Sequence, residues 1–205
     1  MDKSKQAVLV YNKIAQSYSK KFQKPSDYIE DFLKLIPKGG KILDVGCGVG
    51  VDAGYMYSKG FKVVGIDLSK GMLKIAKKRF PNVDFKLMDL REIRFAPNSF
   101  DGVIASFSLI HIPKDDVLGV LHKIHQILKN GGIVYIGVQK GKSKEVFIDE
   151  PLKPGEKLFV NVFSFEEIKE LLLKSGFVII QKHERESMSK AELKFKKLFV
   201  IAKKS

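Results

Sequence analysis

Five short β-rich runs alternate with helical segments along the middle of the chain, and this alternation constrains the fold more than any other feature. The runs are KILDVG (41–46), KVVGIDL (62–68), VDFKLMD (83–89), FDGVIASF (100–107) and IVYIGVQ (133–139). Strands that alternate with helices predict an α/β protein with a parallel sheet and helices on both faces. Ligands of such sheets bind beyond the carboxyl ends of the strands, so we expect the functional residues there.

Segments on either side of the alternation complete a single predicted domain. Apolar residues at helical spacing predict two N-terminal helices, over 5–22 and 27–36. The SFEE capping box at 164–167 predicts a last helix, and two final β-rich runs predict an antiparallel hairpin. The expected parts are an N-terminal helical segment (1–36), a core (37–139), an irregular insertion (140–163) and a C-terminal helix with a β-hairpin (164–205).

Composition narrows the class of protein. The formal net charge is +14, but the lysines are scattered and only four arginines occur, which disfavours DNA and leaves RNA as a less favoured partner. No apolar run approaches the roughly 20 residues of a membrane span. Cys47 is the only cysteine and the chain starts without an apolar signal segment, so a cytoplasmic protein is expected. Either a monomer or a homodimer is expected.

The loop GCGVG follows the first predicted strand and precedes a helix. Glycine lets the backbone turn sharply and lets a ligand approach closely, as in both dinucleotide and adenosyl-methionine sites. The dinucleotide fingerprint G-x-G-x-x-G requires a glycine where this chain has Val51. Gly46, Gly48 and Gly50 follow the pattern G-x-G-x-G instead. The glycines alone also fit a plain strand-to-helix turn.

Three acids near the ends of successive strands are more informative than the glycines. Asp67 ends the second strand, where a carboxylate can accept both ribose hydroxyls of an adenosine or cap the next helix. Asp44 precedes the glycine loop, where negative charge suits the ammonium and sulfonium groups of an adenosyl-methionine but not a pyrophosphate. Asp89 ends the third strand and can accept a hydrogen bond from an adenine amino group.

Several segments of the chain together resemble a known family. ILDVGCGVG, VVGIDLSKGML, FKLMDL, FDGVIASFSLIHI and ILKNGG look like a class I S-adenosylmethionine-dependent methyltransferase of the small-molecule branch, with a methyltransferase type 11/25-like domain. The resemblance covers about residues 5–180. It implies a Rossmann-like fold with a seven-stranded, mostly parallel sheet in the order 3-2-1-4-5-7-6, with strand 7 antiparallel. It also implies S-adenosylmethionine as the cofactor and a tyrosine-bearing helical lid in YNKIAQSYSKKF.

The resemblance implies roles for individual residues. The loop from Gly46 to Gly50, with Cys47 and Gly48, would wrap the methionine and ribose, and Asp67 would hold the ribose. The other implied contacts are Tyr11 and Tyr18 on the lid, Leu68 and Met72 near the adenine, Met88 and Leu90 beside Asp89, and Ser106 and Phe107 at the methyl donor and acceptor.

His111, just past the fourth strand, is the candidate general base for an acceptor that must lose a proton. Because a sulfonium is already an activated donor, orientation and desolvation can supply most of the acceleration. His111 would otherwise be a hydrogen-bonded loop residue or a cofactor contact. His122 and His125 are three apart on a helix, but no further ligand is evident, so no metal site is expected.

Two missing features narrow the acceptor class. Enzymes of this family that methylate amino groups of DNA, and many that act on RNA, resemble one another in an Asp/Asn-Pro-Pro-aromatic motif where this chain has ASFS. Pyrimidine C5 methylation needs a cysteine in a late loop, and Cys47 lies in the glycine loop. We therefore expect methyl transfer to a small molecule by in-line displacement. The alternatives are an RNA or protein methyltransferase and a non-catalytic cofactor-binding protein, whereas Val51 and the three acids disfavour a nicotinamide oxidoreductase.

Overall fold

Runs rich in valine and isoleucine form the strands of one sheet in the computed structural model, which describes residues 3–205. The strands are β1 (Lys41–Val45), β2 (Lys62–Asp67), β3 (Asp84–Leu87), β4 (Phe100–Ser106), β5 (Leu128–Lys140), β6 (Lys144–Glu150), β7 (Lys153–Phe163), β8 (Phe177–Arg185) and β9 (Lys196–Lys204). The helices are α1 (Lys3–Lys21), α2 (Ile29–Leu33), α3 (Val51–Ser58), α4 (Lys70–Arg79), α5 (Lys114–Ile127) and α6 (Phe165–Lys174).

The strand order confirms the predicted Rossmann-like fold. The first five strands are parallel and lie in the order β3-β2-β1-β4-β5. β9 pairs antiparallel with β5 along eight residues, and β8 pairs antiparallel with β9. β9 is therefore the antiparallel strand expected next to the fifth strand, and β8 is the edge strand expected beyond it.

The segment 140–163 forms a hairpin, so the prediction of an irregular insertion is wrong. β6 and β7 pair antiparallel, and β7 joins the sheet only beside the last two residues of β5. On β6, Val146 and Ile148 are half-buried between exposed neighbours, which is the period-two pattern of a strand. Pro151 and Pro154 are confined to the turn and the start of β7, where a missing N–H is tolerated. The hairpin raises the described strands from the predicted seven to nine.

Helix α2 is shorter than the predicted helix over 27–36. The chain enters it through Tyr28, whose left-handed φ of 60° is incompatible with continuing the helix backwards. Lys34 follows as the C-cap, and Pro37 lies three residues later. The result is a single short turn of helix that closes onto the sheet through Phe32.

Apolar layers cover both faces of the sheet. Successive residues of β1 point in opposite directions, so Ile42 packs in the layer that contains Phe32 and Leu43 packs in the layer that contains Leu121 of α5. Helices on both faces are thus confirmed. None of the helices described for residues 3–205 has the length and apolar character needed to cross a bilayer.

Candidate active site

A cavity of about 690 Å³ lies at the carboxyl ends of the parallel strands, where ligands of such sheets bind. Its volume falls within the range of small-molecule and cofactor pockets. Every residue predicted for the site lines this cavity except Gly50, which lies against the ring of Phe85 and precedes α3. The fold thus brings the predicted residues together, while their individual contacts with a ligand stay predictions.

The glycine loop between β1 and α3 has a left-handed backbone at each glycine. Gly46, Gly48 and Gly50 have φ angles of 73°, 52° and 79°, which residues with side chains rarely adopt. A Cβ on Gly46 would lie 2.4 Å from the Cβ of Ser108, so the loop approaches the turn after β4 closely. A Cβ on Gly48 would meet nothing within 4 Å, and Gly48 lines the cavity. This face of the loop is therefore open to a ligand.

Asp67, at the end of β2, fixes the glycine loop. Its Oδ2 accepts a hydrogen bond from the backbone N–H of Gly48 (2.8 Å), and its Oδ1 accepts one from Ser69 (2.7 Å). Burial raises the pKa of Asp67 above its usual value, although these backbone hydrogen bonds oppose the shift. Each oxygen keeps a second lone pair, so the predicted contacts with ribose hydroxyls are compatible with this geometry.

Asp44 is a buried carboxylate with no ion pair among residues 3–205. Its side chain belongs to a residue that is 2% exposed, and its Oδ2 has no hydrogen-bond partner in that part of the chain. Burial raises the pKa of Asp44, and the nearby carboxylates of Asp52 and Asp67 raise it further. Because a buried charge needs a partner, the cavity beside Asp44 is suited to a cationic group.

Asp52 and Ser26 form a contact that the sequence analysis missed. Ser26 donates its backbone N–H to Oδ1 of Asp52 (2.7 Å) and its hydroxyl to Oδ2 (2.6 Å). The Ser26 Oγ also lies 2.7 Å from the Oγ of Ser106 at the end of β4. These bonds fix the segment between α1 and α2 beside the cavity. The available signal was the position of Asp52, two residues after the last glycine of the loop.

Asp89, which is predicted to contact the adenine, is also held by hydrogen bonds from Arg91. Arg91 donates Nε to both carboxylate oxygens, at 3.2 and 3.1 Å, and a terminal nitrogen to Oδ2 at 2.8 Å. The Oδ1 of Asp89 also accepts the backbone N–H of Arg91 and so caps the turn Leu90–Glu92. Asp89 and Leu90 still line the cavity, and the adenine contact stays a prediction.

His111 is hydrogen-bonded at both ring nitrogens. Its Nδ1 lies 2.9 Å from the carbonyl oxygen of Phe159, and because a carbonyl only accepts, Nδ1 carries the hydrogen. Its Nε2 then accepts a hydrogen bond from the hydroxyl of Tyr11 at 2.8 Å. Burial lowers the pKa of His111 to about 4, so the ring is neutral near pH 7. Tyr18 packs edge-on against Tyr11, with ring centroids 5.9 Å apart. The candidate base is thus bound to helix α1 rather than free in the cavity.

His111→Gln is expected to reduce the loss of stability on acidification. The folded-state pKa of His111 (about 4) lies below the value of about 6.5 in an unfolded chain. Its contribution to stability is therefore present above pH 6.5 and is lost as the pH falls toward 4, by about 2.5 kcal/mol at pH 4.5. Urea unfolding of both proteins at pH 7.5 and 4.5 measures the difference. The buried carboxylates are common to both proteins and cancel, so an equal change in both would contradict a neutral, buried His111.

Polar side chains beyond the predicted set also line the cavity, among them Gln139, Glu150, Arg185 and Lys197. Arg185 forms ion pairs with Asp27 and Glu192, each at 2.8 Å. Glu150 is 5% exposed, and burial raises the pKa of its carboxyl group. No motif marks these residues, because they come from distant segments that meet only in the fold. Within residues 3–205, no group of three His, Cys, Asp or Glu side chains is arranged to hold a metal ion.

Residues 42–132 match a family model described as the methyltransferase domain. This range contains the glycine loop, Asp67, Asp89 and the turn after β4, which together form much of the cavity wall. The chain carries a class I S-adenosylmethionine-dependent methyltransferase domain. The cofactor of this class of domain is S-adenosylmethionine.

Known proteins share the methyltransferase domain with this chain. A demethylmenaquinone methyltransferase of Renibacterium salmoninarum is 36% identical over 104 residues, which are 51% of this chain and 43% of that protein. The chain spans less than half the length of the curated relatives that it matches. The aligned part is thus a shared domain rather than a shared whole protein.

Solved structures share the fold. An S-adenosylmethionine-dependent methyltransferase from Methanosarcina mazei has a TM-score of 0.78 at 20% identity, covering 88% of this chain and 98% of that one. The 1,6-didemethyltoxoflavin-N1-methyltransferase of Burkholderia thailandensis, with bound 1,6-didemethyltoxoflavin and S-adenosylhomocysteine, has a TM-score of 0.65 at 20% identity. That comparison covers 97% of this chain and 78% of the other.

The cavity of the methyltransferase domain fits S-adenosylmethionine. The unpaired Oδ2 of Asp44 can accept the ammonium group of the cofactor's methionine moiety. The Oγ of Ser108 is likewise buried without a partner among residues 3–205, and it can donate to the carboxylate of that moiety. The open face of Gly48 leaves space where a Cβ would otherwise project. Two orphaned polar atoms and an open glycine face therefore match the charges and shape of the cofactor.

Proposed function

We propose that the protein transfers a methyl group from S-adenosylmethionine to a small-molecule acceptor by in-line displacement. The observation that carries this proposal is the extent of the cavity. It runs from the glycine loop past Ser106 and Phe107 to Gln139 and Lys197, well beyond the residues that suit the cofactor. Since the same cavity continues beside the cofactor groups, it offers a second compartment for an acceptor.

Helix α1 supports a small, enclosed acceptor because it bridges the carboxyl edge of the sheet. On the side of α4, the Oδ1 of Asn12 accepts a hydrogen bond from the backbone N–H of Gly71 at 2.8 Å. On the side of β7, Lys13 forms an ion pair with Glu156 at 2.8 Å. A helix fastened at both sides excludes water from the groups beneath it, which strengthens every electrostatic contact there.

The side chains of the site have simple tasks under this proposal. When bound, S-adenosylmethionine supplies a methyl group that is already activated on a sulfonium. Asp44 and Asp67 hold and orient charged and hydroxyl groups, and the left-handed glycines allow close approach. Where the acceptor must lose a proton, that proton can pass to the Tyr11 oxygen as Tyr11 donates its own to Nε2 of His111.

A second candidate, methyl transfer to RNA, is favoured by one observation. Lys20, Lys21 and Lys24, at and after the end of α1, line the cavity, and no ion pair is found for them among residues 3–205. Three cations at the rim suit a phosphate backbone. The small molecules for which two similar proteins are named, demethylmenaquinone and 1,6-didemethyltoxoflavin, favour the small-molecule proposal.

Calorimetric titration with S-adenosylhomocysteine, with NAD in parallel, tests the cofactor part of the proposal. We expect micromolar binding of S-adenosylhomocysteine and no binding of NAD, because the carboxylates of Asp44, Asp52 and Asp67 line the cofactor end of the cavity. Binding of NAD alone would refute the proposal.

Transfer of labelled methyl from S-adenosylmethionine is then measured with demethylmenaquinol, a metabolite extract and total RNA. Labelling of RNA that weakens steeply with salt would replace the small-molecule proposal with the RNA one, and binding without any transfer would indicate a non-catalytic protein.

A further inference from the structure

Gln139 and Lys197 form a buried polar pair that the cofactor does not account for. They lie directly opposite each other on the antiparallel strands β5 and β9. Gln139 is 4% exposed and Lys197 is 2% exposed, yet both line the cavity. Burying an amide and an ammonium side by side is costly unless their hydrogen bonds are made, so their hydrogen bonds define what the pair can do.

The hydrogen bonds of Lys197 fix the orientation of the Gln139 amide. The ammonium donates to Oε1 of Gln139 (2.9 Å) and to the carbonyl oxygens of Leu193 (2.6 Å) and Phe195 (2.7 Å). An ammonium has three hydrogens and no acceptor, so Lys197 is saturated and the amide oxygen must face it. The amide nitrogen of Gln139 must therefore face away from Lys197. It has no hydrogen-bond partner among residues 3–205, and it is not sealed from the cavity.

The sheet order places this free amide nitrogen at the acceptor end of the cavity. The glycine loop follows β1, and Gln139 lies near the end of β5, two strands further along the order β1-β4-β5. Neighbouring strands are ~4.8 Å apart, so the two positions are separated by about 10 Å. Ser106, at the end of β4, lies between them. An acceptor beyond the methyl donor would therefore contact Gln139 and not the glycine loop.

The charges around the cavity divide it into two chemically different ends. At the cofactor end, Asp44, Asp52 and Asp67 have no ion pair among residues 3–205, and the charges of Asp52 and Asp67 raise the pKa of Asp44. At the other end, Lys197 and Arg185 are balanced by Glu192 and Asp27. The acceptor end is thus close to neutral and presents N–H donors. It suits an oxygen that accepts hydrogen bonds better than it suits a cation.

We propose that Gln139 recognises the acceptor through hydrogen bonds from its amide nitrogen to a carbonyl, enolate or carboxylate oxygen, and that Lys197 is a positioning residue that holds the amide in the donating orientation. The inference rests on the proposed function, because it assigns the substrate class of the same cavity. We expect the site to discriminate against acceptors that lack such an oxygen, because these acceptors would leave the buried amide N–H groups of Gln139 without a partner.

The test compares pairs of small probes on the protein saturated with S-adenosylhomocysteine. 1-Tetralone and tetralin have nearly the same shape and differ by one carbonyl oxygen, and 2-naphthoate provides an anionic oxygen. Dissociation constants are measured by ligand-observed NMR for the wild type, Gln139→Glu, Gln139→Leu and Lys197→Met. We expect the wild type to bind an oxygen-bearing probe about fivefold or more tighter than tetralin. Tighter binding of 2-naphthoate would indicate that the site recognises an anionic oxygen. Tighter binding of 1-tetralone would indicate that it recognises a neutral carbonyl oxygen.

The variants separate recognition from folding. Gln139→Glu keeps an acceptor for Lys197 but presents no hydrogen-bond donor to the cavity. The preference for an oxygen-bearing probe over tetralin should therefore vanish in this variant, and also in Gln139→Leu. Lys197→Met frees the amide to rotate and should reduce the preference without removing it. Affinity for S-adenosylhomocysteine should stay within about twofold throughout, because no variant touches the cofactor end. Equal affinity of the wild type for all three probes, or a preference that survives in Gln139→Glu, would overturn the inference. Absent binding of S-adenosylhomocysteine to the wild type would instead count against the proposed function.

Discussion

Gly46→Ala is expected to lower the free energy of unfolding by about 2–5 kcal/mol. A left-handed backbone costs a residue with a Cβ about 1–2 kcal/mol, and the φ of Gly46 is 73°. The new methyl group would also lie 2.4 Å from the Cβ of Ser108, an overlap that typically costs about 1–3 kcal/mol through displaced backbone. Urea unfolding at pH 7.5 measures the change.

Gly48→Ala is the matched variant that separates folding from binding. Its φ of 52° carries similar strain, but its Cβ would meet no atom within 4 Å. We expect a loss of only about 1–2 kcal/mol in unfolding free energy. Because the methyl group would project into the space assigned to the cofactor, affinity for S-adenosylhomocysteine should fall by about tenfold or more, or about 1.4 kcal/mol.

Gly60→Ala controls for backbone strain alone. Gly60 has a φ of 89° and open space around its Cβ, and it lies at the end of α3, outside the cavity. It should lose stability like Gly48→Ala and bind S-adenosylhomocysteine like the wild type. If Gly46→Ala were as stable as Gly60→Ala, the close approach of the glycine loop to the turn after β4 would be contradicted. Unimpaired binding by Gly48→Ala would show that the ligand does not occupy the open face of the loop.

Asp67→Ala is expected to weaken binding of S-adenosylhomocysteine by about 1–3 kcal/mol, or about 5- to 150-fold. The carboxylate holds the backbone N–H groups of Gly48 and Ser69, and its remaining lone pairs suit the ribose hydroxyls. Its removal therefore deprives the ligand of one contact and releases the loop that supplies others. Calorimetric titration at fixed ionic strength gives the dissociation constants.

Asp84→Ala provides the charge-matched control for this variant. Asp84 is an exposed acid at the start of β3, paired with Lys86 outside the cavity. Both variants lose one negative charge, so a general effect of the high net positive charge would appear in both. Equal affinity of folded Asp67→Ala and wild type would remove Asp67 from the binding site.

The sequence alone predicted the parts of the fold that depend on local signals. The alternation of strands and helices predicted a parallel sheet, and the family resemblance implied the order of its strands. The glycine loop with its acids predicted one end of the cavity. Those residues lie within or next to the ends of strands. The carboxyl ends of parallel strands lie at the same edge of a sheet, so no knowledge of long-range contacts is needed to place these residues there. The positions of Asp44 and Asp67 in the sequence therefore predict that they lie at the same edge of the sheet.

Long-range contacts could not be predicted in the same way. Gln139 and Lys197 are 58 residues apart, and their pairing depends on the register of β5 against β9. Arg91 lies two residues from Asp89, yet its bidentate contact depends on the turn that follows β3. Two prolines in the segment 140–163 favoured the prediction of an irregular insertion over a hairpin of β6 and β7. Proline occurs in edge strands as well as in loops, so it does not distinguish the two.

Helix α1 is fastened to the rest of the molecule by its buried apolar face and a few polar side-chain contacts rather than by strand pairing. Its Tyr11 binds His111, its Gln6 accepts the backbone N–H of Phe159, and its Asn12 binds Gly71. Where a ligand leaves beneath α1, it does so past these contacts, which can break without disturbing the sheet. Ligand exchange then has the character of a local unfolding event, with a rate set by how tightly one helix is docked. Amide hydrogen exchange in α1 would report on the same opening.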